Sequence, residues 1–129
     1  MSKEGTNGRS NQLKGRLFES KVAKKLNKIG FNVTYSTRGS DEDRAKIDIV
    51  NNAGSNTIFP YNIQCKTLAK HCDYTKLLEE MPKNAEVNVL IHRKTKKIET
   101  GEFIKQGTYA IMKADDFYDL IAELEARKL

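Results

Sequence analysis

Cysteine is scarce in this chain: Cys65 and Cys72 are the two among 129 residues. Two thiols cannot build a disulfide framework, so a reducing cytosol is the expected setting and stability has to come from an apolar core. Long apolar runs are missing too. No stretch approaches the roughly 20 residues of a membrane span, and residues 1–16 are polar, without the apolar segment of a secretory leader. No membrane partner is expected. Internal repeats, low-complexity tracts and linkers are also lacking, which argues for one domain at this length. His71 beside Cys72 and near Cys65 raises zinc. The spacing fits no common zinc pattern, and a fourth ligand would have to be the distant His92. Cys65 reads better as a small core residue.

What the chain does have is positive charge. Lysine and arginine number 23 against 17 aspartates and glutamates, a formal surplus of +6. Such a surplus favours anionic partners, nucleic acid first among them for a small domain. Residues 1–11 read as a flexible basic arm, and residues 12–129 as one folded domain. Leu17, Phe18, Val22, Leu26 and Ile29 recur at helical spacing, and Gly30 stands where a helix stops. Strands are expected at 31–35, 47–51, 57–66, 86–92 and 107–113. The second and third form a hairpin across the turn residues "NAGSN", with Pro60 confining the pairing to an edge or a bulge. A short helix is expected near 73–82, capped by Asp73, and a closing amphipathic helix from 114. In that last helix Asp115 is the candidate cap, and Phe117, Leu120, Ile121 and Leu124 share a face. "STRGSDEDRAK" and "RKTKKIETGE" read as loops. The fold class is α/β, a mixed sheet of about five strands flanked by helices.

Alternation along "YNIQCK" puts Tyr61, Ile63 and Cys65 on one face and Asn62, Gln64 and Lys66 on the other. If the hairpin brings Asp48 beside Gln64, an acid, an amide and an ammonium share one small volume. A solvated sheet face would give the same alternation. Glu19 adds weight: with Gly15, Val22 and Leu26 it follows the i, i+4, i+7, i+11 spacing, at the margin of the helix stripe that faces the sheet. A carboxylate there is costly without a positive partner. Glu19, Asp48 and the amide oxygen of Gln64 could surround a divalent cation, with the backbone carbonyl of Cys65 as a further oxygen ligand and Lys66 alongside. Hard cations such as Mg²⁺ choose oxygen ligands and keep waters, a suitable arrangement for phosphodiester hydrolysis. Asp41 or Asp43 could add a carboxylate, although a "DED" run more often marks a solvated turn.

A helix glutamate, then an aspartate opening a hairpin, then a strand ending "QCK" resembles the PD-(D/E)XK nuclease superfamily. "IQCK" after "GF…ID" is similar to Mrr-type restriction endonucleases with glutamine in the third motif. The small size and "YAIMKADDFYDLI" are similar to Holliday junction resolvases and related phage or archaeal nucleases. The resemblance implies a restriction-endonuclease-like core with Glu19, Asp48 and Gln64 as catalytic metal ligands and Lys66 as the catalytic lysine. It also implies Mg²⁺, with Mn²⁺ able to substitute, a homodimer, and branched DNA such as a four-way junction as substrate. Two departures stand out. Ile47 occupies a position where many relatives have proline. Gln64 replaces an acid, which leaves the site one negative charge poorer and allows a form that binds DNA without cutting it.

Lys14, Arg16, Arg38, Ser40, Arg93, Lys94, Lys96 and Lys97 are the candidate DNA contacts, with Lys3 and Arg9 on the arm and Gly39 in the loop before Asp48. Individually each cation also suits plain solvation. Together they suit backbone reading with steep salt dependence. No helix is rich in base-reading side chains, so recognition of structure is favoured over sequence. The alternatives are an Mrr-like nuclease on duplex or modified DNA, and a non-catalytic DNA-binding module.

Overall fold

A computed structural model describes residues 3–55, 59–84 and 86–128, with side chains from residue 12 onward. Helix α1 spans Lys3–Ile29. The backbone of residues 3–11, expected as an irregular arm, is therefore helical; residues 1 and 2 and the side chains of Lys3 and Arg9 lie outside the described residues. The helix stops at Gly30, whose φ of 129° suits a residue without a side chain. There the Gly30 N–H donates to the Asn27 carbonyl (3.2 Å) and the Phe31 N–H to the Leu26 carbonyl (3.3 Å). These two bonds satisfy carbonyls that a helix end would leave orphaned.

The buried stripe of α1 runs through Phe18, Val22, Ala23 and Leu26. Leu17 and Ile29, expected in it, are 54% and 74% exposed. Ala23, Val33, Ile49, Phe59, Ile63 and Val89 form the main core, with Phe31 edge-on to Phe59. Fully burying a side chain such as Ile49 stabilises by about 1.5–3 kcal/mol. Leu78, Met81 and Leu90 form a second, smaller cluster.

Among the described residues the five strands form two sheets, one of two strands and one of three, rather than a single sheet of about five. β1 (Val33–Tyr35) pairs antiparallel with β2 (Ile49–Asn51). β3 (Tyr61–Leu68) lies parallel to β4 (Val87–Lys97), which pairs antiparallel with β5 (Phe103–Ile111). The expected hairpin between β2 and β3 does not form as a ladder. Among the described residues the Asp48 N–H links the two sheets by donating to the Ile63 carbonyl at 2.7 Å. Two tertiary choices explain this. Asn27 clamps β1 to the end of α1, donating to the Val33 carbonyl (3.0 Å) and accepting from its N–H (2.7 Å). β3 meanwhile pairs with β4 across the α3 crossover, the long connection that parallel strands require. β3 starts at Tyr61, just past Pro60; Thr57 and Ile58, expected in this strand, lie outside the described residues.

α2 (Asp41–Arg44) forms where a loop was expected, with Ser40 Oγ accepting from the Asp43 N–H. Three acids in its first turn suit the positive end of a helix. Lys46, just beyond, holds a φ of 66°, a left-handed conformation that costs a non-glycine residue on the order of 1 kcal/mol. α3 (Tyr74–Glu79) is capped by Asp73 as expected. β4 does not end at His92. It continues through the "RKTKK" segment, read as a loop, because Thr95–Lys97 pair with Phe103–Lys105 across a turn. α4 (Ala114–Ala126) has Lys113 rather than Asp115 at its N-cap, and no side-chain cap bond. None of its residues is buried, so the apolar face with Phe117, Ile121 and Leu124 stays 43–50% exposed. Among the described residues no helix is long and apolar enough to cross a membrane.

Candidate active site

The open edge of β3, the side not paired with β4, gathers most of the chemistry. The loop leading into β2 carries Asp48 to this edge, where its Oδ2 accepts the Cys65 N–H at 2.7 Å. In a strand the N–H and C=O of one residue point to the same side, so the Cys65 carbonyl faces the Asp48 edge as well. α1 lies over this region and contributes Glu19. Lys66, with Lys14, Gly15, Phe18, Glu19, Cys65 and Thr67, lines a cavity of about 470 Å³. A second cavity of about 620 Å³ holds Glu19 between Gln12, Arg16, Arg38 and Asp43.

The electrostatics are strained. Glu19 is half-buried, and its Oε2 is enclosed with no hydrogen-bond partner. Burial, then repulsion from Asp48, pushes its pKa from 4.5 to about 7, with Arg16 pulling the other way. Burial likewise raises Asp48, opposed by the Cys65 N–H bond and then by Lys66. Asp43 repels both carboxylates. Burial also drives the Cys65 thiol up, so the sulfur stays protonated and inert. Cys65 packs against the main core and Cys72 against the smaller cluster, on opposite sides of the sheet. This separation keeps Cys65 apart from Cys72.

The structure brings Glu19, Asp48, Lys66 and the Cys65 backbone together. Gln64 is placed differently. It leaves β3 on the face of its register partner Leu90, opposite Ile63 and Cys65, and is buried with Oε1 unpartnered. Lys66 departs on that same face, yet it lines the Glu19 cavity and acts on both acids. Among the described residues no three His, Cys, Asp or Glu side chains gather to hold a metal. A cation would have to use two carboxylates together with carbonyl or amide oxygens. The donors suit a hard ion: two crowded carboxylates, an orphaned carboxylate oxygen and a carbonyl directed to the same edge.

Several candidate DNA contacts are already occupied. Arg16 donates to the Ser36 carbonyl (2.8 Å) and sits 4.3 Å over the Tyr35 ring, tying α1 to the end of β1. Ser40 caps α2. Lys94 donates to the Ala69 carbonyl at 2.6 Å. Arg93 stacks on Phe18, 4.3 Å from the ring centroid. Arg38 reaches Gln12 (3.1 Å) at the rim of the larger cavity, and Lys96 and Lys97 are exposed on β4. Asp43, weighed in the sequence mainly as part of a solvated turn, lines the cavity with Glu19 while its Oδ2 accepts the Gly39 N–H. The Ser40 N-cap, with Asp43 three residues on, is the local signal that could have placed it on a helix. Comparison with protein-family models, curated proteins and solved structures returns no match.

Proposed function

We propose that this chain is a divalent-metal-dependent DNA endonuclease acting on branched DNA, of which a four-way junction is the representative. One observation carries the reading: two carboxylates, Glu19 and Asp48, are held together in partial burial at an open strand edge beside the Lys66 ammonium. Burial penalises both charges, with repulsion from Asp48 adding to the penalty on Glu19, and a bound cation would remove it. Glu19, Asp48 and the Cys65 carbonyl would hold the ion, Mg²⁺ or Mn²⁺, while Gln64, buried on the Leu90 face, stands apart from them. A bound ion would supply Lewis-acid polarisation of the scissile phosphate and a more acidic water. The chain's own residues do the rest. Asp48 is oriented by the Cys65 N–H, and Lys66 stabilises the negative charge that grows on the phosphate oxygens. The partly buried cavity walls limit competing water. The net charge of +6 draws in the polyanion.

A 5′-labelled four-way junction incubated with Mg²⁺ provides the test. Asp48→Asn and Lys66→Ala should each slow cleavage by about 10²-fold or more. Cutting by both variants at the parental rate would end the proposal. A matched linear duplex run in parallel separates junction cutting from an Mrr-like preference for duplex DNA.

One observation favours a second reading, a module that binds DNA without cutting it. Gln64 stands where the resemblance expects an acid, and its side chain leaves on the Leu90 face. Calorimetric titration with Mn²⁺ separates the two: heat that disappears in Glu19→Gln and Asp48→Asn supports the nuclease. Pairing of two copies would use the apolar side chains left exposed on β5 and α4, among them Phe103, Ile104 and Phe117.

A further inference from the structure

On the other side of Phe18 lies a cleft of about 510 Å³ between α1 and β4–β5. Its floor is apolar, with Phe18, Val22 and Ile63 among the residues forming it. Its rim is cationic: Lys21, Lys25, Arg93 and Lys105 line it, and no acid does. Helix spacing explains the first two, since Phe18, Lys21, Val22 and Lys25 follow the i, i+3, i+4, i+7 rule. A bulge explains Lys105. Arg93 pairs with Thr108 and Lys94 with Gly107, but Thr95 pairs with Lys105, so one residue of β5 is passed over. Plain alternation would turn Lys105 away from Thr108. The bulge reverses its parity and aims it at the face that carries Arg93.

The cations are close enough to disturb one another. Lys105 is pushed below its ordinary value by the Lys21 charge, then by a hydrogen bond with Lys21, then by Arg93. Arg93 Nε is enclosed without a partner, while its guanidinium rests on the Phe18 ring. Like charges held over apolar surface, with no acid among the lining residues and a donor left open, are stabilised when an anion joins them.

We infer that this cleft is an anion site for a backbone phosphate of the bound nucleic acid, separate from the carboxylate edge and sharing Phe18 with the Glu19 cavity. The inference rests on the nuclease reading for its choice of ligand. Phe18 lines both cavities, so one strand could carry a phosphate past Glu19 and the next into the cationic cleft.

The test is metal-free binding of a fluorescein-labelled four-way junction in EDTA, followed by anisotropy over a series of salt concentrations. Lys21→Ala/Lys105→Ala should weaken binding about 10-fold or more and flatten the log–log salt slope by about one to two. The control pair Lys70→Ala/Lys76→Ala removes the same charge from the surface outside the cleft and should change both readouts far less. Equal losses in the two pairs would reduce the cleft to general electrostatics and overturn the inference, as would an unchanged affinity. A parallel titration with inorganic phosphate, monitored by NMR at the Lys21, Arg93 and Lys105 resonances, separates the sources. Saturable shifts from free phosphate in a protein that does not bind the junction would overturn the nucleic-acid ligand. Because metal is absent, loss of cutting in Asp48→Asn with binding intact would leave the inference standing. Binding without cutting in the parent protein would sink the nuclease reading alone.

Discussion

Two clusters of like charge flank the Phe18 ring, and they differ in sign. Toward the open edge of β3, Glu19 and Asp48 repel each other in partial burial. Toward β5, Lys21, Arg93 and Lys105 crowd an apolar floor. The acids are built on a loop and one helix position, with Asp48 oriented by a backbone N–H. The cations sit on regular helix and strand faces and need a bulge to converge. In the proposed reading a cation would answer the first and a phosphate the second, and a metal-bound phosphodiester would satisfy both together.

The largest expected effect separates the clusters by readout. Asp48→Asn should remove cutting and keep metal-free DNA binding. Lys21→Ala/Lys105→Ala should weaken binding and leave the single-turnover rate at saturating protein within a few-fold. A shared loss of both properties in both variants would show that the two clusters are one structural unit.

Next in size is a pH effect on stability. Glu19 titrates near 4.5 in the unfolded chain and near 7 when folded, so the folded state holds the proton more tightly. Its contribution is fully present below about pH 4.5 and is lost as the pH rises through 7, and Asp48, raised in the same direction, adds to it. After allowance for solvent screening of a half-exposed group, the loss is on the order of 1–2 kcal/mol, or about 3–8 °C in Tm. Metal-free melts at pH 5 and pH 8 measure it. Glu19→Gln should flatten the profile, and Mg²⁺ should raise the parental Tm at pH 8 far more than at pH 5. A profile rising with pH would show that the carboxylates are relieved by the neighbouring cations.

The smallest effect concerns the ring between the clusters. Phe18→Leu keeps an apolar filler and removes the face under Arg93, with an expected cost of about 0.5–2 kcal/mol in stability. Binding in EDTA should weaken a few-fold because the guanidinium loses its support. If Phe18→Leu matched the parent in both measurements, the ring would not be what positions Arg93.

Much of the element order was legible because its signals are local. Apolar residues at helical spacing marked α1, Gly30 its end and Asp73 the start of α3, and period-two alternation marked β3 and the first part of β4. Charged β-structure was not legible. Arg93–Lys97 has no apolar alternation toward its end, and its strand exists because Phe103–Thr108 pairs with it. The buried face of α1 shifted toward Ala23, whose small side chain carries little weight in a pattern of large apolar residues. α4 was read as an amphipathic helix, a pattern that describes a helix without identifying what covers its apolar face.

Sequence alone could name Glu19, Asp48 and Lys66 as chemically notable, because helix and strand periodicity place a residue on a face without knowledge of its neighbours. Their meeting at the β3 edge, where the Asp48 N–H bonds the Ile63 carbonyl and the Asp48 carboxylate accepts the Cys65 N–H, was decided by tertiary structure. So were the separation of Gln64 from the pair and the turning of Lys105 toward Arg93. The reason is one of range. Periodicity acts over a few residues, whereas strand partners, ladder edges and bulges are chosen between segments tens of residues apart, by whichever pairing best satisfies backbone bonds and buries the core.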